Sequence, residues 1–114
     1  PLYVVFPYDE NSVNKDIELT THEGQECDIV ISGALKVQVG DHVEILHEGD
    51  SIYYDSSKPH GMIAVENADC IFYAFVLNAS QEKELVHGGT RDIMFVPKKK
   101  KEISERKRVD RDAR

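Results

Sequence analysis

Apolar positions along this chain recur at a spacing of two far more often than at the spacing of a helix, and they come in short runs. "LYVVF" (2–6) is β-branched and aromatic and is closed by Pro7. "CDIVIS" (27–32) ends at Gly33. "ALKVQV" (34–39) sets Leu35, Val37 and Val39 against Lys36 and Gln38, the alternation of a half-buried strand. Gly40 and Asp41 supply a tight turn, and "HVEIL" (42–46) alternates again through Val43 and Ile45. "IYY" (52–54) lies between the turn clusters "HEGDS" and "DSSKP". "GMIAV" (61–65) and "CIFYAFVL" (70–77) form a hairpin about "NAD" (67–69). The second of these strands is apolar on both sides, as a central strand would be. "RDIMFVP" (91–97) is a last strand stopped by proline, and only "SQEKELV" (80–86) and the segment after Pro97 read as helical. Roughly eight to ten short strands with turns about every ten residues predict an all-β sandwich or barrel.

Chemistry concentrates in two of the turns. In "TTHEGQECDIVISG" (20–33), His22 and Glu26 are an even number of residues apart, so an extended chain carries both on one face. Gly24 between them permits a bulge that lets the two side chains converge. "SSKPHG" (56–61) offers a third donor, His60, after a proline that fixes the turn and at the entrance to the next strand. Two imidazoles and one carboxylate with open positions suit a divalent transition metal such as Fe, Mn, Ni or Zn better than Ca or Mg, which prefer oxygen shells. The alternative is a polar turn cluster around an empty pocket.

These residues carry a resemblance. His22, Glu26 and Gly33 resemble the first motif of the cupin superfamily, HxHxxxExxxxxxG. Gly49, Asp50 and His60, in "EGDSIYYDSSKPHG" (48–61), resemble the second. The resemblance covers about residues 16 to 77 and is most similar to the C-terminal sensor domains of helix-turn-helix/cupin transcriptional regulators. It implies a double-stranded β-helix, the cupin jelly-roll barrel, with His22, Glu26 and His60 as metal ligands. The chain departs from the family pattern at four places. Thr20 stands where the first motif has its first histidine, Asp55 and Ser57 replace a proline and a glycine of the second, and Ala64 replaces its late asparagine. Three ligands suffice for a metal; a vestigial site is the other outcome.

Length and charge narrow the function. At 114 residues with 40% hydrophobic and 31% charged positions, the chain is one domain with a single core. Residues 1–97 form the expected barrel and residues 98–114 a basic tail. The tail holds nine bases against four acids, or +5, and the remainder five bases against 17 acids, or −12. A body that acidic repels phosphate backbones, so direct nucleic-acid binding by it is excluded. The tail has too few apolar residues to dock as a helix and is read as solvated. No apolar run spans a membrane and the N-terminus lacks signal-peptide character. Cys27 and Cys70 fit no CxxC pattern and are read as reduced thiols of a cytoplasmic protein, Cys27 facing away from the metal side. His42, His47 and His87 lie in or beside turns and are read as surface. Tyr53, Tyr54, Phe72, Tyr73 and Phe75 are packing residues, of which one or two, with Met62, line a ligand cavity.

Two classes of function fit. One is a binding module, a cupin sensor domain that takes a small molecule with or without a divalent metal. The other is a stand-alone metal-dependent enzyme (oxygenase, isomerase or lyase) using the two histidines and the carboxylate. Catalysis needs a positioned acid or base beyond the ligands. None is evident on the expected inner face, which favours the binder. The apolar terminal strands lie outside the motif-bearing barrel and predict a homodimer, since such edges seldom stay exposed.

Overall fold

The computed structural model describes residues 1–77 and 93–98; the segments expected to be helical, His87 and nearly all of the basic tail lie outside the described residues. Eight strands form, with no helix among the described residues: β1 (Leu2–Phe6), β2 (Gln25–Ser32), β3 (Ala34–Val39), β4 (His42–Leu46), β5 (Ser51–Asp55), β6 (His60–Val65), β7 (Cys70–Leu77) and β8 (Ile93–Val96). They make a five-stranded sheet in the order β1-β7-β2-β5-β8 and a three-stranded sheet in the order β4-β3-β6, with every pairing antiparallel. The chain passes between the sheets repeatedly, and two packed antiparallel sheets wound in this way are a jelly roll. β7, the strand apolar on both sides, does pair on both edges, with β1 and β2. The hairpin expected about residues 67–69 does not form, because β6 pairs with β3 in the other sheet and the turn carries the chain across between the two sheets.

The core is the facing surfaces of the two sheets. Val30, Ile52, Tyr54 and Phe72 from the larger sheet meet Leu35, Val37, Val39, Leu46 and Ala64 from the smaller, all nearly or fully buried. Each such Leu, Ile or Phe contributes about 1.5–3 kcal/mol by leaving water. The crossing from β2 to β3 is made by Gly33 alone, at φ +83°, where a Cβ would lie 2.3 Å from the Asp69 carbonyl oxygen. Only glycine meets both demands. Asp50, of the glycine-aspartate pair, is a structural tie: its carboxylate accepts from the backbone N–H of His47 (2.8 Å) and of Lys98 (2.7 Å). That fastens the β4–β5 turn to the end of β8.

One strand faces opposite to its apparent pattern. In β4, Val43 and Ile45 are 44% and 43% exposed, while Leu46 is fully buried. The register explains it, because Val43 pairs with Gln38 and Ile45 with Lys36, the outward positions of β3, whereas Leu46 pairs with Leu35. β4 is the edge of the small sheet, and its inner face runs past the core, so His42 and Glu44 occupy inner positions and bond each other at 3.0 Å. Apolar residues also remain exposed on the edge strands of the large sheet: Leu2, Tyr3 and Val5 on β1, Met94 and Val96 on β8.

This register predicts unequal costs for two adjacent residues. Leu46→Ala should lower stability by about 2–5 kcal/mol, and Ile45→Thr by no more than about 0.5 kcal/mol. Urea unfolding monitored by circular dichroism reads both, and a reversed order would refute the register.

Candidate metal centre

Glu26 lies on the inner face of β2, level with Val76 of β7 and Tyr54 of β5, and is buried. His60 is the first residue of β6 and is also buried. His22 is exposed and belongs to no strand, because β2 begins only at Gln25. The expected sharing of one extended face is therefore replaced by a bend, with Gly24 at φ +96°. The bend is held by two backbone bonds, His22 N–H to the Ser56 carbonyl (3.0 Å) and Ser56 N–H to the Gly24 carbonyl (2.9 Å). The result is the grouping that the spacing pointed to: one donor atom from each of His22, Glu26 and His60 lies within 4.8 Å of the others.

Thr20 sits beside them. It exchanges two backbone hydrogen bonds with His60, at 2.8 and 2.9 Å, which ties the strap of residues 20–24 to the small sheet. The close approach depends on Gly61. A Cβ at that position would lie 2.2 Å from the Glu18 carbonyl oxygen and 2.8 Å from the Ile17 side chain.

The hydrogen bonds define which ring nitrogens face the site. Nδ1 of His60 is 2.8 Å from the Lys58 carbonyl and Nδ1 of His22 is 3.1 Å from the Glu23 carbonyl. A carbonyl only accepts, so each Nδ1 carries the proton, and in the neutral ring each Nε2 presents a lone pair. Nε2 of His22 stands 3.4 Å from Oε1 of Glu26. The rings of His22 and His60 meet edge to face, with centroids 4.9 Å apart. Donor atoms of two imidazoles and a buried carboxylate thus lie close together, where a bound cation would offset the carboxylate charge. Backbone carbonyls holding the far nitrogens are the usual support of metal-binding histidines. The donor set fits a divalent transition ion.

Beneath Glu26 lies a group the alternation from Glu26 could have revealed. Asp28, two residues on along the same inner face, is fully buried between Ala74 and Ile52, with the Tyr54 hydroxyl 3.4 Å from its Oδ2. Burial first, then a hydrogen bond with Glu26 and repulsion from it, push its carboxyl up to about 9 against an opposing effect of the Tyr54 hydroxyl. With both carboxyls ionised, Asp28 Oδ1 has no hydrogen-bond partner; a proton on the pair supplies a donor. An acid beyond the three donors is therefore present on the inner face, contrary to the expectation from sequence. Burial, with Asp28 and Glu26 nearby, likewise raises the Tyr54 hydroxyl. Both cysteines are free: Cys70 is in the core, its thiol pushed by burial up to about 11, and Cys27 is half-buried. Cys27 pairs across the strands with Tyr53 and Phe75, away from Glu26 and Asp28.

The three donors open onto a cavity of about 480 Å³ between the sheets, lined also by Thr20, Met62 and Phe72. Met62 and Phe72 are among the residues that the sequence marked as candidates for such a wall. His42 and His47 are on the surface, bonded to Glu44 and Glu66.

Because Ile17 and Glu18, which lead into the strap, approach β6 across a bare Cα, Gly61→Ala should force this segment away. The expected cost is about 1–3 kcal/mol of stability, together with weaker binding of divalent ions as His60 loses its place beside His22. Thermal unfolding and metal titration of the same preparation read the two effects, and a variant indistinguishable from wild type in both would refute the positioning role.

The sequence pattern of the family described as "Cupin domain" matches residues 12–76, more than half of the chain. No curated protein matches the chain. Among solved structures it is similar to the crystal structure of Fe(II) HppE in complex with substrate, with a TM-score of 0.57 and 20% identity over 66% of this chain. The likeness covers 43% of that protein, so the chain spans less than half of its length, and it concerns the fold. The chain belongs to the cupin domain family.

Proposed function

We propose that this chain is a divalent-metal-binding and small-molecule-binding cupin domain in which His22, Glu26 and His60 hold one transition ion. The observation that carries the reading is the convergence of Nε2 of His22 and the Glu26 carboxylate at 3.4 Å, with both imidazoles anchored through Nδ1 to backbone carbonyls. A bound ion would supply a Lewis-acidic centre with positions open towards the cavity. The chain's own part is to orient the two rings, to hold Glu26 out of water, and to shape the apolar wall. The resemblance of residues 16 to 77 to regulator sensor domains supports a sensing role. One observation favours the enzyme reading instead: Asp28 gives the site a buried acid, linked to Glu26, that can hold a proton.

Elemental analysis of untagged protein tests the metal reading. Wild type should carry close to one equivalent of Fe, Mn, Ni or Zn, or take it up on loading. His22→Ala, Glu26→Gln and His60→Ala should each bind at least about tenfold more weakly with the circular dichroism spectrum unchanged. Because protons compete with the ion for imidazole nitrogens, occupancy should also fall as the pH is lowered. A wild type that none of the four ions can load would refute the reading.

A further inference from the structure

Given the metal reading above, on which this inference rests, we infer that the cavity takes a ligand with a single anionic head and an apolar body, and that it rejects dianions. The cavity is asymmetric. His22, Glu26 and His60 form one polar end, and Thr20 and Glu18 are the other polar groups of its lining. The remaining wall is apolar, contributed mainly by Val4 and Phe6 of β1, Met62 of β6, and Phe72, Ala74 and Val76 of β7. Among the described residues, no lysine or arginine lines it.

Charge and solvation then select the ligand. A divalent ion with the Glu26 carboxylate leaves one positive charge, which balances one anionic group and no more. A second anionic group would lie against Phe, Met and Val side chains, where an unpaired charge is costly, or approach Glu18, which repels it. Phosphate recognition normally uses arginine, lysine or a row of backbone N–H groups, and the first two are missing from this wall. An apolar body fits on the same grounds. Residues of β1, β6 and β7 gain by excluding water, and about 480 Å³ is within the range of small-molecule sites. Leu2 of the edge strand β1, 60% exposed, also belongs to the lining.

The test uses the full chain loaded with Co(II), whose visible absorption reports on the ion's coordination. Hexanoate, acetate, succinate and inorganic phosphate are titrated at one pH and ionic strength. Hexanoate should perturb the spectrum with a half-saturation at least tenfold lower than acetate, and succinate and phosphate should bind at least tenfold more weakly than hexanoate. Val76→Lys adds a cation at an exposed position level with Glu26 and should narrow the gap between succinate and hexanoate. Succinate or phosphate binding as tightly as hexanoate to wild type, or acetate matching hexanoate, would overturn the ligand class while leaving the metal site standing. Failure of Co(II) to bind at all would overturn both, and is read before any ligand is added.

Discussion

The site depends on the strap of residues 20–24, which is hydrogen-bonded to both sheets at one end of the barrel. Thr20 pairs with His60, the first residue of the small sheet's β6, and His22 and Gly24 bond Ser56 in the turn that leaves β5 of the large sheet. Glu26 follows within two residues, once the chain has entered β2. Four backbone hydrogen bonds therefore bring together three side chains that belong to a bend, a strand interior and a strand start.

Polarity in this core is concentrated rather than scattered. Glu26, Asp28 and Tyr54 share the inner face of β2 and β5, while the rows beside them are occupied by Val30, Ile52 and Phe72. Burying two carboxyls side by side is unfavourable unless one keeps a proton or a cation offsets the charge. The protonated Asp28 serves the first purpose, and the convergent imidazoles beside Glu26 are suited to the second. An apolar pair at positions 26 and 28 would be the cheaper choice for folding alone, which is why this cluster points to chemistry rather than to stability.

Strand existence was legible because period-two patterning and Gly, Pro and Asp turns agree with each other along the chain; β3 and β7 have the limits that their patterns suggested. Facing was less legible. β4 shows two interleaved rows, and the more apolar one, Val43 and Ile45, looks like the core row but points outward. Its register against β3, a tertiary fact, decides this. His22, Glu26 and His60 could be grouped from spacing and motif, yet the route that joins them, a bend rather than a shared strand face, depends on hydrogen bonds to Ser56 that lie more than thirty residues away. Asp28 was hidden inside a run that otherwise reads as apolar, although the alternation from Glu26 already placed it on the same face.

X-ray absorption at the metal edge of zinc-loaded protein tests the central claim most directly. The ion should show a first shell of nitrogen and oxygen at about 2.0–2.2 Å with no sulfur, and outer-shell scattering from two imidazoles that falls to one in His22→Ala. Sulfur at about 2.3 Å, from Cys27 or Cys70, or a spectrum with no imidazole scattering, would contradict it.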